Sequence, residues 1–552
     1  MVLEKMELEI PKAHLFRPTS RRLHVMLLLM FGFFCASYMR SNIGMTMTCI
    51  VNSTAVAIET AKFHENDNFR LFNESKIPEQ CQHEGIEEEG GVVVNDYGGT
   101  IVWSQKMQNQ LFAGTFWGSL VTIIPAGYLA DRTSAKNLYL FSIINYSICS
   151  IVFPFLSLHT SVWVVFVSRV FMGLGEGLIV PAANKLITRW VPNQEKSTAA
   201  SIFTLGNQFA GGIGIPIAAG FCASKFRWPG VYYFCGGIGI LWCIVWKLSV
   251  TNTPEKTRMM SSKERNFLRD NVEKVHKNPV KRQQIIPWKK IFSSLPVISC
   301  FVSIFGINMV VVLLQSYQPT FMKEVLYLRL VDNGFYSAAP YIVQIVAKLS
   351  WSITIDHFKA TGKISNTLAC KVSQGFSTFT IGIFLILITH FADCTRPEIT
   401  LLMFCAIGMG FATAISGFYT SLLSLAPAYV GIISSLCQFV GVVGMLVPPL
   451  LVSYFRTYGT LEEWQKIFYI VAVYTILSGV FFVVFGRGEV LPWGRGEHSE
   501  KLNPEKEEEE EENIQKIEVT SSTKSYSYKI EKHVYNLIEE SAKSAKSFCD
   551  SQ

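Results

Sequence analysis

The stretch RVFMGLGEGLIVPAANKLITRW, residues 169–190, is long and apolar enough to cross a membrane, yet it contains Arg169 and Glu176. A spanning helix needs about 20 mostly apolar residues. A charge at the bilayer centre costs at least about 2.5 to 3.5 kcal/mol, so it normally faces a partner or a watery cavity. The stretch therefore predicts a membrane helix that turns two charges towards the protein interior.

The rest of the chain has the same character. Of its 552 residues, 49% are hydrophobic and only 16% are charged, against roughly 25% charged in an ordinary soluble domain. We predict an all-α membrane protein with twelve transmembrane helices in two six-helix bundles. The predicted spans lie near 23–50, 107–129, 138–157, 161–187, 199–222, 229–250, 295–321, 334–356, 368–391, 398–422, 429–454 and 465–486.

Two sequence echoes divide the chain into halves. GYLADR (127–132) is echoed by SITIDH (352–357), and GGIGIP (211–216) by GVVGMLVP (441–448). Segments interrupted by Gly and Pro at corresponding positions are typical of transporters built from repeats, with a site at the midplane. The predicted domains are a cytoplasmic N-terminal tail (1–22), a first bundle (23–250), a cytoplasmic linker (251–294), a second bundle (295–487) and a cytoplasmic acidic tail (488–552).

The distribution of basic residues predicts the orientation. Lys and Arg are more frequent in the loops that lie inside if both termini are cytoplasmic, as the positive-inside rule requires. The net charge of +7 reflects this loop bias and does not indicate nucleic-acid binding. The long outer loop 51–106 carries acceptor sequons at Asn52 and Asn73, which we predict to be glycosylated.

The thirteen cysteines are scattered, and most fall within or beside the predicted spans. Thiols in such places usually pack as small apolar groups. Only Cys81 and Cys394 lie clearly in outer loops, and no paired spacing occurs. We therefore predict neither a disulfide framework nor a metal site, with a Cys49–Cys81 bridge as an open alternative.

The charges within the spans are the candidate binding groups. Arg169 and Glu176 are seven residues apart, which places them on nearly the same helix face, about 10 Å apart along the axis. Such a pair would stay partly open to a substrate anion. The alternative is that Arg169 snorkels to the outer interface with Glu176 as a structural partner. Arg40, beside Asn42, is a second arginine in a span, and paired guanidinium donors suit carboxylate or phosphate.

Other charged or glycine-rich positions have simpler interpretations. Lys348 lies about 12 Å from the inner helix end at Asp356, so we expect it to snorkel. Asp131, Arg132 and Asp356 sit at inner helix ends and are predicted conformational latches. GLGEG (173–177) follows no strand, so it does not indicate dinucleotide binding, and its glycines favour close helix packing. No nucleotide loop, metal-ligand cluster or nucleophile triad appears, so we predict a protein that is not an enzyme.

The acidic tail has two interpretations. The run Glu507–Glu512 is typical of a solvated, disordered segment. Beyond it, apolar residues recur at helical spacing, which suits a short amphipathic helix that docks on a trafficking partner or on the membrane surface. These residues are Ile530, Val534, Leu537 and Ile538.

Several motifs resemble one transporter family. GYLADR looks like the signature between the second and third helices of the major facilitator superfamily. SRVFMGLGEGLIVPAANKLITRWVPNQEKS, YMRSN, NTPEKTRMMSSKERNFL and LAPAYVGIISSL resemble the anion symporters that include sialin, the vesicular glutamate transporters and the type I sodium-phosphate cotransporters. The resemblance implies transport of small organic anions or phosphate across a plasma, vesicular or lysosomal membrane, coupled to protons, sodium or membrane potential, without a cofactor.

The resemblance also assigns roles to residues. Arg40 and Arg169 match the arginines thought to bind anions, and Glu176 matches the acidic residue of the same helix, the candidate for coupling. Phe112, Ile307 and Asn184 replace polar residues of some members, which argues against glutamate or sialic acid. Polar contacts from the seventh helix are expected instead from Asn308, Gln315 and Tyr317. The rival interpretation is a transporter-like sensor or signalling scaffold that no longer transports.

Overall fold

A computed structural model describes residues 20–64, 81, 86–89, 92–192, 196–254, 257, 260–268 and 286–495. Asn73, the acidic run and the apolar residues of the tail lie outside the described residues. The predictions for them therefore stay predictions.

Twelve helices of the described chain are long and apolar enough to cross a membrane, and each coincides with one predicted span. The prediction of an all-α membrane protein is therefore confirmed. The helices are α1 (Arg21–Ile50), α2 (Gln105–Ala130), α3 (Ala135–His159), α4 (Val162–Trp190), α5 (Thr198–Ala223), α6 (Arg227–Ser249), α7 (Leu295–Glu324), α8 (Leu330–Lys359), α9 (Asn366–Phe391), α10 (Pro397–Leu425), α11 (Pro427–Phe455) and α12 (Leu461–Phe485).

The helices pack as two bundles. In the first bundle α4 packs on α2 and α3, and α1 packs on α5; in the second, α9 packs on α10 and α12, and α7 packs on α11. The bundles meet mainly where α2 contacts α11 and where α5 contacts α8. We call the end of the bundles that holds Ile50 and Gln105 the outer end, because the charge distribution predicts that it faces away from the cytoplasm.

Glycines allow the closest of these helix contacts. A Cβ atom added to Gly173 would lie 2.0 Å from the carbonyl oxygen of Thr115, and one added to Gly177 would lie 2.3 Å from Oγ1 of Thr122. Both distances are far below van der Waals contact, so α2 and α4 can approach only because side chains are missing there. The packing role predicted for GLGEG is confirmed.

Three of the spanning helices contain a π-helical segment. These segments are Ala210–Gly214 in α5, Leu313–Tyr317 in α7 and Ile415–Tyr419 in α10. The extra residue in each turn redirects the side chains that follow, and such segments are frequent at functional sites. The segment in α7 carries Gln315 and Tyr317, two of the predicted binding residues.

The segments outside the membrane contain further short elements. The outer loop holds a helix, Ser53–His64, and an antiparallel hairpin of β1 (Ile86–Glu89) and β2 (Val92–Asn95). The linker between the bundles holds the helices Ser262–Leu268 and Trp288–Ser293, and a 3₁₀ turn, Pro492–Arg495, follows α12.

The linker helix caps the inner end of α1. The carboxylate of Glu264 accepts hydrogen bonds from the Ser20 hydroxyl at 2.9 Å and from the backbone N–H groups of Arg21 and Arg22 at 3.0 and 3.1 Å. It also pairs with the buried guanidinium of Arg22. The first N–H groups of a helix lack partners within the helix, so Glu264 supplies them from a distant part of the chain.

Two disulfides join the outer end, and they correct the cysteine prediction. Cys49 is bonded to Cys222 with a Cα–Cα distance of 6.3 Å, and Cys81 to Cys394 with 5.9 Å. The alternative of a Cys49–Cys81 bridge is wrong. The partners are 173 and 313 residues apart in sequence, so only the packing of the helices brings them together, and spacing in the sequence could not reveal it.

Candidate functional site

An ion pair between α1 and α4 lies at the centre of the candidate site. Nη1 of Arg40 is 2.6 Å from Oε1 of Glu176, and the two side chains are 10% and 18% exposed. The other carboxylate oxygen of Glu176 accepts a hydrogen bond from the Tyr146 hydroxyl of α3. Three helices of the first bundle thus hold one carboxylate and one guanidinium together.

The second bundle also reaches Arg40. Nη2 of Arg40 donates to Oδ1 of Asn207 in α5 and to Oε1 of Gln315 in α7, both at 3.2 Å. The Gln315 amide in turn donates to Asn207 at 3.3 Å. Arg40 therefore lies at the interface of the two bundles, where alternating access would expose it to either side.

A close approach of α1 and α7 places Gln315 beside Arg40. A Cβ atom added to Gly44, one turn beyond Arg40, would lie 2.4 Å from the carbonyl oxygen of Gln315. Gln315 lies in the π-helical segment of α7, and its side chain reaches Arg40 of α1. The predicted binding role of Gln315 thus has a geometric basis, because its amide shares the Arg40 guanidinium.

Arg169 does not pair with Glu176. Its guanidinium is buried, with the residue only 2% exposed, and donates to the backbone oxygen of Arg40 at 3.3 Å and to the Met172 sulfur at 3.2 Å. Its Nε has no partner among the described atoms. Seven residues along one helix separate Arg169 and Glu176 by about 10 Å, whereas Arg40 approaches Glu176 from the facing helix.

This placement corrects both interpretations of Arg169. A snorkelling side chain would extend to the interface, but this one points inward to α1. An ion pair with Glu176 would neutralise it, but no carboxylate of the described chain lies within ion-pair distance of Arg169. Arg169 is therefore a buried cation that contacts the backbone of Arg40, and among the described residues Glu176 pairs with Arg40 alone.

The structure places two other predicted contacts away from Arg40. The hydroxyl of Tyr317 donates to Oδ1 of Asn109 in α2 at 2.9 Å, and its ring packs edge-on against Phe112. Nδ2 of Asn308 lies against α11, 2.4 Å from where a Cβ of Gly441 would be. Tyr317 thus joins the bundles, while Asn308 contributes to packing within the second bundle.

The positions where this chain departs from some family members are apolar or exposed. Phe112 and Ile307 are buried, and Asn184 is exposed. A histidine or arginine in place of the first two would add a titratable or charged group to the interior. The candidate site of Arg40, Arg169 and Glu176 therefore lacks those additional groups.

Two of the predicted latch residues, Asp356 and Arg132, make local contacts. The exposed carboxylate of Asp356 pairs with Lys359 of its own helix at 2.6 Å. The exposed guanidinium of Arg132 lies over the ring of Tyr128, 4.5 Å from its centroid. Asp131 is the penultimate residue of the same helical segment. The described contacts of Asp356 and Arg132 do not join the two bundles.

Lys348 is placed differently from its prediction. Its side chain does not snorkel; the residue is 4% exposed, and Nζ donates to Oγ1 of Thr204 in α5 at 2.7 Å. Three residues of this region were not predicted, namely Tyr146, Asn207 and Thr204. Each is polar and lies within a span, and a polar residue in a span is itself a signal of function or of helix contact.

A cluster of contacts joins the bundles at the outer end. The buried Lys323 ammonium donates to the Thr48 carbonyl at 2.8 Å and the Ser53 hydroxyl at 2.7 Å, and it lies 4.7 Å from the centroid of the Tyr97 ring. The backbone oxygen of Lys323 accepts a hydrogen bond from Asn95. The outer loop of the first bundle is thereby fixed to the outer end of α7.

Asp96 orders the chain that carries this cluster. Its carboxylate accepts hydrogen bonds from the N–H groups of Thr54 and Gly98 at 3.0 and 2.7 Å. Burial opposes ionisation, but the charge of Lys323 and the hydrogen bonds from backbone N–H groups outweigh it, so the pKa of Asp96 lies below its usual value. Asp96 is therefore ionised throughout the physiological pH range.

A sequence profile of the Major Facilitator Superfamily matches residues 29–447. The chain belongs to the major facilitator superfamily. It is 42% identical over 498 residues to a protein of Caenorhabditis elegans named uncharacterized transporter slc-17.3, covering 89% of this chain and 93% of that one. It is 27% identical over 480 residues to human sialin, covering 87% and 92%.

A further relative is the putative inorganic phosphate cotransporter of Drosophila melanogaster, 26% identical over 488 residues, covering 87% of this chain and 88% of the relative. Within the superfamily, the chain belongs to the anion symporter family of sialin and the vesicular glutamate transporters. The D-xylose-proton symporter superposes with a TM-score of 0.59 at 12% identity, covering 86% of this chain and all of that one. This likeness shows the fold alone.

Proposed function

We propose that this major facilitator protein transports small organic anions or inorganic phosphate by alternating access. The observation that carries the proposal is the placement of two guanidiniums within the membrane-spanning region. Arg40 lies between the bundles and pairs with Glu176, and the buried Arg169 contacts the backbone of Arg40 without a carboxylate partner in the described chain. Such a site attracts an anion, and guanidinium donors fit carboxylate and phosphate oxygens. The names of relatives, which include glutamate transporters and a phosphate cotransporter, support the same substrate classes.

The two arginines have different roles in this proposal. Arg169 has no carboxylate partner in the described chain, so its charge is available to an anion even while Glu176 pairs with Arg40. Arg40 is held by Glu176 at 2.6 Å and is released when an anion takes the place of the Glu176 carboxylate. A displaced carboxylate inside a span is costly as an unpaired charge, so Glu176 then takes up a proton.

This exchange couples anion and proton movement. In the empty carrier, Glu176 is ionised and paired with Arg40. In the loaded carrier, the arginines bind an anion and Glu176 is protonated. The two ligands would therefore cross together. Sodium or the membrane potential is the alternative driving force, and it would leave the Glu176–Arg40 pair a structural contact.

The outer cluster around Lys323 supports a rocking mechanism. It joins the first bundle to α7 at the outer end, while Asp356 and Arg132 at the other end make local contacts. In the proposed cycle the outer contacts break and the inner ends close, which turns Arg40 towards the outside.

Uptake by proteoliposomes tests the proposal. A panel of labelled anions, with phosphate, dicarboxylates and sugar acids, is offered at two pH values with and without sodium. We expect at least one anion to accumulate, and we expect Arg169→Ala to abolish the accumulation. The matched control is Arg396→Ala, which changes an exposed arginine in the loop between α9 and α10. If no anion crosses through well-folded protein, the sensor or scaffold interpretation replaces the proposal.

We also propose that both termini are cytoplasmic, with glycans on Asn52, Asn73 or both. Oδ1 of Asn52 accepts a hydrogen bond from the Ala55 N–H at 2.7 Å, which leaves Nδ2 as the site of attachment. The disulfides at the outer end also suit an oxidising compartment on that side. Glycosidase should change the mass of the wild type and leave the double Asn→Gln variant unchanged; accessibility of loop 51–106 from the cytoplasm contradicts the orientation.

For the membrane in which the protein resides, we propose three alternatives. A plasma, vesicular or lysosomal membrane each agrees with an oxidising outer side. The acidic tail 488–552 remains the predicted docking segment for a trafficking partner. Truncation before residue 496 followed by microscopy of the tagged protein would show whether the tail directs its destination.

A further inference from the structure

Lys348 is a buried amine at the contact of the two bundles. It lies in the inner half of α8, and its Nζ donates to Oγ1 of Thr204 in α5 at 2.7 Å. The proposed exchange between Arg40 and Glu176 makes no use of it. A charge buried within a span is costly, so we expect Lys348 to have a structural or functional role.

The register of α5 and α8 fixes the direction of this side chain. Gly334, Tyr341 and Lys348 are seven residues apart in α8, so they share one face of the helix. All three contact α5, which runs in the opposite direction. From the outer to the inner end, the contacts are Gly334 with Ala219, Tyr341 with Gly211 and Lys348 with Thr204. Lys348 therefore points into the interface of the bundles and away from lipid.

The same face of α5 connects Lys348 to the candidate site. Thr204 precedes Asn207 by three residues, and side chains at that spacing are neighbours on a helix, about 5 to 6 Å apart at Cβ. Asn207 accepts a hydrogen bond from Arg40 at 3.2 Å. Lys348 thus lies about one helical turn inward from the groups around Arg40.

The charged side chains around Lys348 indicate which class of ligand its amine can bind. No carboxylate of the described chain lies within ion-pair distance of Lys348. Arg40, Arg169 and Lys348 supply three positive charges and Glu176 one negative charge. An empty site of this composition carries two excess positive charges, and a buried cation without a counter-charge is strongly unfavourable. Once Glu176 is protonated, as proposed for the loaded carrier, three positive charges remain, and an anion with two negative charges compensates more of them than an anion with one.

We propose that the Lys348 ammonium is a subsite for the second anionic group of a doubly charged substrate. A dicarboxylate or hydrogen phosphate would place one negative group on the arginines and direct the other towards the Lys348 ammonium. This inference rests on the proposed anion transport and narrows its substrate class. It also gives the inner half of the pathway a cation, which receives the anion on its way to the cytoplasmic side.

The test compares two anions of the same shape and different charge. Succinate and its half-amide, succinamate, compete in proteoliposomes against whichever labelled anion the wild type accumulates. We expect succinate to compete at least about tenfold more strongly. Lys348→Met should lower this preference about tenfold, which corresponds to about 1.4 kcal/mol, and Lys348→Arg should retain most of it. Lys348→Gln supplies the same readout if the methionine variant does not fold.

Two further variants separate binding from a structural contact. Thr204→Val removes the hydrogen-bond acceptor of Lys348 and keeps the shape of the side chain, so the preference for succinate should survive. Lys371→Met is the matched control, because Lys371 lies in α9 and donates only to the backbone oxygen of Val484 among its described contacts. If Thr204→Val loses the preference as Lys348→Met does, Lys348 joins the helices and binds no substrate.

The outcomes also distinguish this inference from the proposed function. A wild type that accumulates no anion overturns the transport proposal itself. A wild type that accumulates an anion without preferring succinate, or a Lys348→Met variant with the full preference, overturns only the subsite.

Discussion

Glu176→Gln tests the coupling role of the ion pair with Arg40. The glutamine retains an oxygen that accepts the hydrogen bond from Nη1 of Arg40, and it is close in size to the protonated acid. What it loses is the negative charge that competes with a substrate anion for Arg40. The variant should therefore bind the anion more tightly and no longer require a proton to release Arg40.

The magnitude follows from the burial of the pair. The two side chains are 10% and 18% exposed, so solvent screens their interaction little. A hydrogen bond to a charged group contributes about 1.5 to 3 kcal/mol and a neutral one about 0.5 to 1.5 kcal/mol. Replacing one by the other weakens the competition by about 1 to 1.5 kcal/mol, which predicts about a five- to twelvefold gain in anion affinity.

Two assays on the same proteoliposomes measure these effects. Exchange of labelled for unlabelled anion without a gradient reports binding and reorientation, and accumulation under an imposed proton gradient reports coupling. Glu176→Gln should keep exchange, with a lower half-saturating concentration, and lose accumulation. Unchanged dependence on pH and gradient would refute the coupling role. Loss of both activities, as in Arg169→Ala, would show that the pair is structural.

Three further predictions concern single features of the structure. Arg40→Lys should reduce uptake at least about tenfold at matched expression, because an ammonium cannot reproduce the paired donors of a guanidinium. Wild-type uptake by this variant would show that Arg40 acts only through its positive charge. The lowered pKa of Asp96 means that its stabilising contribution is present above its unfolded pKa and lost only as pH falls through the lower folded value. Asp96→Asn should therefore leave the pH dependence of uptake unchanged between about pH 5 and pH 7, and a shifted profile would contradict this. Protease cleavage in the central linker should leave the two halves joined on a non-reducing denaturing gel, and Cys394→Ser should separate them; halves that separate in the wild type would show that the Cys81–Cys394 bond is absent.

The spans could be predicted from the sequence because hydropathy alone determines them. Each of the twelve apolar segments folds as a spanning helix, since a helix satisfies the backbone groups of such a segment within the segment itself. The folded elements of loop 51–106 were not predicted. A signal for the hairpin was present, because Gly90-Gly91 separates the runs Ile86–Glu89 and Val92–Asn95, and paired glycines favour tight turns between strands.

The members of the site could be predicted, but not their partners. The cost of charge in a span singles out Arg40, Arg169, Glu176 and Lys348 without any knowledge of the fold. Spacing within one helix then suggested a pair of Arg169 with Glu176. The observed partner of Glu176 comes from another helix, and contacts between helices depend on packing that a single sequence does not encode locally.

The environment of Lys348 could not be predicted from the sequence either. Its distance from the inner helix end suits snorkelling, yet its heptad register with Gly334 and Tyr341 places it at the bundle interface. The seven-residue spacing is visible in the sequence. Only the structure shows that this face of α8 meets α5 and not lipid.

Counterflow tests the central claim most directly. Proteoliposomes loaded with an unlabelled anion are diluted into a trace of the same anion in labelled form, so uptake requires a binding site that alternates between the two sides. We expect transient accumulation of label with the wild type and with Arg396→Ala, and none with Arg169→Ala. Absence of counterflow in the wild type for every anion tested, or equal counterflow with Arg169→Ala, would contradict an anion site at the interface of the bundles.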